Sequence, residues 1–463
     1  MTDYRTILIK NIEALVDLDA EQGYVKDGYL FVENGIIQSV GSGVPPRRAA
    51  RRILKTIDAK GMIALPGFVN THHHLFQTLT RAYPSVMDAG LFDWLKALYP
   101  VWAKLDEEAV YLGTQVGMIE LMFSGCTTTT DHHYLFTQGR RGLPSPRFID
   151  VQIEAARELG MRFQPCRGSM SLGEKDGGLP PDSIVQSEEE ILRDSERLIN
   201  AYHDPSFGAM VRIALAPCSP FSVTPHLMQE TAQLARRHGV RLHTHLAETL
   251  DEEEFCQERY GCRPLDYLES VGWLSDDVWL AHGIHFSRNE ISRLGRAGVA
   301  IAHCPSSNMR LGSGIAPVLA LLKSGVSIGL AVDGSASNDA SNMLLDIKGA
   351  LFIQRLIHGP AALRVKDVFK MATEGGARCL GREDLGVLKP GKAADIALFD
   401  LNELNYSGAG DPLGALALCA PTTVHTLIVN GRVLIKNHEL QSNIDLERLV
   451  ASHRKKARKL WKR

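Results

Sequence analysis

Pro66-Gly67-Phe68-Val69-Asn70-Thr71-His72-His73-His74 follows a short apolar run, Met62 to Leu65, and together they predict a strand that ends in histidines. Pro66-Gly67 punctuates the run and Phe68-Val69 carries it on. Along an extended segment alternate side chains share a face, so His72 and His74 aim into one cavity while His73 points aside. Two imidazoles on one face of a strand end are half of a zinc site, neutral imidazole being the commonest metal ligand. Three histidines in a loop can also be surface or packing residues, so the reading depends on what the rest of the chain adds.

Outward from this stretch the chain alternates. Helical segments such as 107–123, 188–201, 225–238 and 288–297 are separated by short β-rich runs. Those runs are 127–132, 162–167, 212–217, 241–245, 278–282, 300–303 and 327–333. With 63–72 they make about eight strands alternating with helices, the pattern of an α/β fold, a (β/α)8 TIM barrel. Gly160, Gly239, Gly298 and Gly325 each stand between a helix and the next strand, where a helix C-cap belongs. Segment 169–184, rich in Gly and Pro, is expected to be a long loop after the fourth strand, on the catalytic face, where it could act as a lid.

The two ends of the chain look alike. Asn34-Gly35 sits between β-rich runs, and so does Asn430-Gly431; both are hairpin signals. One small, β-sandwich-like domain built from both termini is expected. The predicted division is residues 1–65 and 386–463 for that domain, the latter with a terminal helix, and 66–385 for the metal-dependent barrel.

The bulk numbers exclude several classes. With 463 residues, 44% hydrophobic and 22% charged, the chain can bury a barrel core and an appendage. A net charge of −2 offers no basic field for nucleic acid and no polybasic patch for membrane. The basic run 453–459 is expected to be part of a solvated C-terminal helix, its cations near the helix end. Residues 1–5 begin no signal-like segment, and no window reaches about 18 uncharged apolar residues, so a cytoplasmic protein is expected. The eight cysteines form no Cys-x-x-Cys pair, which argues against a disulfide framework or a zinc ribbon.

Chemistry-bearing residues gather at the predicted strand ends. His243-Thr244-His245-Leu246-Ala247-Glu248 places two histidines on one face and a glutamate where the chain leaves the strand. Leu280-Ala281-His282-Gly283 and Val332-Asp333-Gly334-Ser335 end two more strands. Singly these would be a buried histidine or a turn aspartate. Together, at C-terminal strand ends that converge, they point to a catalytic metal and hydrolysis.

With these motifs in view the chain resembles the amidohydrolase superfamily, in its chlorohydrolase and nucleobase-deaminase branch, over essentially its whole length. The resemblance includes Gly386-Val387-Leu388-Lys389-Pro390-Gly391-Lys392-Ala393-Ala394-Asp395. It implies metal ligation by His72, His74, His245 and Asp333, a catalytic His282 close to the metal, and Glu248 as the acid/base that moves a proton to the substrate. His243 becomes structural or supports a ligand. Binuclear members carry a lysine at the end of the fourth strand. None occurs between Lys104 and Lys175, and the strand taken as the fourth reaches Cys166-Arg167, so one divalent ion is expected. Zinc suits three imidazoles and a carboxylate, and Fe2+ is compatible with the same donors. The resemblance further implies a homodimer.

By the same resemblance the reaction is hydrolytic deamination of an amino-substituted heterocycle, with Asp333 orienting water and Glu248 protonating a ring nitrogen. Gln77 is the candidate for pairing with the base. Cys218 stands where thioether- and adenosine-type deaminases have histidine and guanine deaminases arginine, and is the candidate for contacting a ring substituent. His132 and His133 are expected to be structural and Trp94 a helix-packing aromatic. The combination is most similar to the 8-oxoguanine deaminase group, with hydroxytriazine (alkyl)aminohydrolases and guanine- or isoxanthopterin-type deaminases as alternatives. The small α/β/α deaminases need His-x-Glu and Pro-Cys-x-x-Cys, which this chain lacks. A non-catalytic scaffold of the same fold would have lost ligands, and all are present.

Overall fold

The structure, a computed structural model, describes residues 6–45, 55–137 and 147–462; residues 1–5, on which the N-terminal expectation fell, lie outside them. In chain order the strands are β1 (Thr6–Val16), β2 (Tyr24–Glu33), β3 (Ile36–Ser42), β4 (Lys55–Asp58), β5 (Met62–Pro66), β6 (Phe68–Asn70), β7 (Cys126–His133), β8 (Arg162–Ser169) and β9 (Ala214–Pro217). They continue with β10 (Arg241–Leu246), β11 (Val278–His282), β12 (Ala300–His303), β13 (Ile328–Leu330), β14 (Ile396–Asp400), β15 (Thr426–Val429), β16 (Arg432–Lys436) and β17 (Glu439–Leu440).

The run expected as a single strand over 63–72 is two strands. β5 belongs to the sheet of the chain ends, antiparallel to β14, and β6 opens the barrel beside β7. The divide is local chemistry. Pro66 has no N–H to give a ladder, the Gly67 N–H makes the last bond beside β14, to Asp395 O at 2.9 Å, and the Phe68 N–H turns to Gly125 O at 3.0 Å on the barrel side. A Cβ at Gly67 would stand 2.1 Å from Thr127 Cγ2, so only glycine lets the chain pass from one sheet to the other.

β6 to β13 lie in one eight-stranded sheet, each hydrogen-bonded to the next and parallel to it. The ends meet through both backbone and side chains: Thr71 N–H and Oγ1 donate to Leu330 O, and Val332 N–H donates to Asn70 Oδ1 at 2.9 Å. This is the expected α/β barrel. Its helices end as the glycines predicted: Gly160, Gly239 and Gly298 cap them in the left-handed conformation.

Strands from both termini form a nine-stranded sheet in the order β17-β16-β15-β14-β5-β1-β2-β3, with β4 on β1. Its apolar face holds a core of its own, including Ile7, Ile9, Leu30, Ile396 and Ile428. Both Asn-Gly turns are made as read, with Asn34 and Asn430 at φ 53° and 49°. The turns touch: a Cβ on Gly35 would lie 2.8 Å from Asn430 O. Beneath the barrel, the buried Arg162 pairs with Asp395 through two bonds of 2.9 and 3.0 Å, joining β8 to the stretch before β14.

Three expectations change. β8 is the third barrel strand, and β9, ending at Pro217-Cys218, is the fourth; no lysine follows Lys175 until Lys323, so the fourth strand still ends without one. Segment 169–184 does not border the cavity above the barrel. Its backbone is tied to Phe221 and Ser222, as in Leu179 N–H to Phe221 O at 3.0 Å, and the cover comes from helix Leu91–Trp102 instead. The terminal helix, Leu446–Trp461, is docked rather than solvated. Leu449, Ala457 and Leu460 are buried, Lys456 pairs with Asp106 and Glu108, and Trp461 Nε1–H donates to Leu79 O at 2.9 Å. Among the described residues, no helix is long and apolar enough to cross a membrane.

Candidate active site

Four strand ends bring the polar residues together. His72 and His74 follow β6, His245 lies in β10, His282 ends β11, and Asp333 stands three residues beyond β13. All five are buried. Three of the chain's exits here take left-handed backbone at non-glycine residues: Ala247 (φ 54°), His282 (φ 71°) and Asp333 (φ 64°). Such conformations cost about 1–2 kcal/mol each and persist where surroundings hold them.

Each imidazole is fixed by what its Nδ1 meets. His74 Nδ1 lies 2.7 Å from His132 O and His245 Nδ1 2.7 Å from Cys218 O. A carbonyl only accepts, so both Nδ1 atoms carry hydrogen and both Nε2 atoms carry a bare lone pair. His243 Nδ1 donates to Trp279 O at 2.8 Å, which leaves its Nε2 to accept from His72 Nδ1 at 2.7 Å. His72 Nε2 is thereby bare as well, and it is buried without a hydrogen-bond partner. His243, stacked on Trp279 with centroids 4.3 Å apart, thus orients His72, as expected of a supporting residue.

Two of the bare nitrogens meet Asp333 and the third meets His74. His72 Nε2 and His74 Nε2 stand 3.3 and 3.4 Å from Asp333 Oδ1, and His74 Nε2 stands 3.2 Å from His245 Nε2. Burial drives the pKa values of His72, His74 and His245 down, so these rings are neutral. Burial would raise Asp333, but the imidazoles of His72, His282 and His74 around it outweigh that and hold the carboxyl well below the usual range. Facing lone pairs repel unless a cation lies between them. A tetrahedron with arms of about 2.0–2.1 Å has edges of roughly 3.3 Å, so a zinc-sized ion suits this donor set.

Beside these groups stand an acid and its partners. Glu248 Oε2 is 3.4 Å from His282 Nε2, which is 3.9 Å from Asp333 Oδ2. Burial pushes Glu248 up to about 7 against the pull of His282. The Glu252 carboxylate accepts the backbone N–H groups of Ala247 (2.8 Å) and Glu248 (3.1 Å), pinning the turn that presents Glu248. Asn308 Oδ1 stands 2.9 Å from His282 Nδ1 and accepts its hydrogen, turning His282 Nε2 toward the carboxylates.

A pocket opens over the cluster. Leu91, Trp94, Leu95 and Tyr99 of helix Leu91–Trp102 wall it, with Phe221 and Leu311, and His74, His245, Glu248, His282 and Asp333 open onto it. Gln77 lines it as expected: its Oε1 accepts from Ala336 N at 3.4 Å and its Nε2 has no partner. A Cβ on Gly334 would lie 1.9 Å from Gln77 Oε1, so the glycine makes room for the amide. Cys218 also lines it, and burial pushes its thiol up to about 12. Its carbonyl supports His245, so its backbone serves the site.

Trp94, read as helix packing, does both: its ring stacks edge-on with Trp102, its Nε1–H donates to Ala336 O at 3.0 Å, and it faces the pocket. His132 donates to Ala216 O, His133 lies among Phe76, Phe136 and Phe148, and neither lines the pocket. Tyr99, Tyr134, Asn308 and Glu252 escaped the sequence reading. Glu252 alone left a signal, standing four residues beyond Glu248 in the following helix.

A model described as the amidohydrolase family matches residues 63–434. The 8-oxoguanine deaminase of Pseudomonas aeruginosa is 55% identical over 92% of this chain and 93% of its own. The hydroxydechloroatrazine ethylaminohydrolase of Pseudomonas sp. (strain ADP) is 37% identical over 96% of this chain and 93% of its own. Among solved structures, the atrazine chlorohydrolase of Arthrobacter aurescens TC1 complexed with zinc superposes with a TM-score of 0.91 at 36% identity, covering 98% of this chain and 99% of the other.

Proposed function

The chain belongs to the amidohydrolase family, and we propose that within it this protein is a metal-dependent deaminase of an amino-substituted heterocycle, with 8-oxoguanine the substrate and urate and ammonia the products. The observation that carries the reading is a chain of close donors, His72 and His74 Nε2 at 3.3 and 3.4 Å from the Asp333 carboxylate and His245 Nε2 at 3.2 Å from His74 Nε2, with the buried Glu248 carboxyl, pushed up to about 7, beside it. His72, His74, His245 and Asp333 hold one divalent ion, zinc by its preference for this donor set. When bound, the ion lowers the pKa of water toward about 7 and so makes a nucleophile available at neutral pH.

The chain's own groups do the rest. Asp333, anionic and fixed by Gly334 N–H (2.6 Å) and Ser337 Oγ–H (3.2 Å), orients water and takes its proton. Glu248, protonated in its buried place, gives a proton to the ring nitrogen adjacent to the carbon under attack. His282, set by Asn308, supports the attacking oxygen. A C–O bond forms, the C–N bond breaks, the amine leaves as ammonia with the proton Asp333 accepted, and the proton on the new C–OH returns to Glu248 as the carbonyl forms. Leu91, Trp94, Leu95 and Phe221 enclose a flat ring and exclude water.

The substrate choice leans on the 55% identity to an 8-oxoguanine deaminase. The related hydroxytriazine aminohydrolase removes an amine from a similar ring and supplies the second reading. The test is a panel assay for released ammonia on 8-oxoguanine, guanine, isocytosine, isoxanthopterin and hydroxytriazines, with elemental analysis of the purified protein. One equivalent of metal per chain and fastest release from 8-oxoguanine are expected. Metal-free protein that releases no ammonia from any member overturns the reading.

A further inference from the structure

We propose that the Tyr99 hydroxyl is a specificity-determining contact, donating a hydrogen bond to a ring oxygen of the substrate remote from the carbon that loses its amine. This deepens the reading of the pocket as a deaminase site and rests on it. Tyr99 is fully buried and its hydroxyl has no hydrogen-bond partner. Buried phenols ordinarily find one, because an unmet donor forfeits its hydration with nothing in return. Here the hydroxyl belongs to a residue that walls the pocket, on the same helix face as Trp94 and Leu95. Burial raises its pKa well above 10, so the group stays a neutral O–H.

Several other polar groups at the pocket are engaged. The Cys218 oxygen accepts from His245, Asp333 accepts from Gly334 and Ser337, and Glu248 faces His282. Gln77 also offers an unmet donor, but its amide is seated against Gly334, next to Asp333, at the reacting end. Tyr99 comes from the helix that covers the pocket, whereas the metal-binding groups and Glu248 come from the strand ends beneath it. An acceptor on a remote part of the ring system is what an isolated neutral donor there would recognise.

The test is Tyr99→Phe, which keeps the ring and removes one oxygen. Urate and xanthine, the deaminated forms of 8-oxoguanine and guanine, differ in a single oxygen on the five-membered ring and serve as paired inhibitors. In the variant kcat/KM for 8-oxoguanine should fall about 10–100-fold, chiefly through KM, and urate inhibition should weaken by a similar factor. Xanthine inhibition should change less than about threefold, and Tm should hold or rise because an unmet hydroxyl is gone. Equal weakening of urate and xanthine, no weakening of either, or a lowered Tm with uniform loss would each overturn the assignment and leave the deaminase reading intact. Wild-type protein that releases no ammonia from any panel member would overturn the deaminase reading, and the role of Tyr99 with it.

Discussion

The two ends of the barrel are built from the same strands and treat polar groups in opposite ways. At the lower end the buried Arg162 spends its guanidinium on Asp395, Gly208 O and Ala209 O, and the turns into the strands use glycine where left-handed backbone is needed. At the upper end left-handed backbone falls on Ala247, His282 and Asp333, and the imidazole Nε2 of His72, the amide nitrogen of Gln77 and the hydroxyl of Tyr99 have no partner. At the upper end left-handed non-glycine backbone and unmet polar atoms therefore surround a single cluster of side chains. That end is where loops follow strands, and the difference separates what the fold needs from what the chemistry needs.

The largest effect expected from breaking this contrast is at Glu248. Glu248→Gln keeps the shape and removes the proton donor, so kcat should fall about 10²–10⁴-fold, while Tm moves little. A full-rate variant would remove Glu248 from the mechanism. The pH profile carries the sign. Burial raises Glu248 from its ordinary 4.5 to about 7, so the protonated, active form persists to neutral pH and is lost as pH rises through about 7. Log kcat/KM should decline with unit slope above that point in the wild type. The same limb should be absent from the residual activity of Glu248→Gln.

The mirror experiment is at the lower end. Asp395→Ala strands the buried Arg162 charge, and breaking such a pair costs about 3–5 kcal/mol of stability. Denaturant unfolding should show this loss, and kcat/KM per folded molecule should stay within about twofold. A large kinetic loss at unchanged stability would mean the two ends are coupled and the separation drawn above is wrong. Asp395→Asn, which keeps an acceptor for Arg162, should lose less.

These contrasts also explain what the sequence made visible. The imidazoles and Asp333 were legible because metal chemistry restricts residue type and strand geometry restricts spacing, so His72-x-His74, His243-x-His245 and Asp333 stand out from a neutral background. Both Asn-Gly hairpins were legible because only a few residues accept positive φ at low cost. Asn308 and Tyr99 were not, since a neutral amide or phenol acquires its role only from what packs around it. The divide at Pro66-Gly67 was hidden because both halves are apolar and extended, and only the approach of Thr127 requires the glycine. In the terminal helix the density of lysine and arginine masked a narrow apolar stripe, Leu449, Ala457 and Leu460, which is what docks.

The smallest expected effect is also the sharpest comparison, because it adds the same methyl group at each end. Gly239 caps a helix at the lower end with φ +65°, and a Cβ there would meet nothing within 4 Å. Gly239→Ala therefore pays only left-handed strain, about 1–2 kcal/mol, and should lower Tm slightly with KM and kcat unchanged. Gly334 at the upper end does not have left-handed backbone, but its Cβ would stand 1.9 Å from Gln77 Oε1. Gly334→Ala must push the Gln77 amide out of place, so KM should rise by roughly tenfold, about 1.4 kcal/mol of lost substrate binding, with little change in Tm. If Gln77 mediates that loss, adding Gln77→Ala to Gly334→Ala should cost little more than either change alone. Additive losses would show that the methyl acts on Asp333 or its loop directly, and would remove Gln77 from substrate recognition.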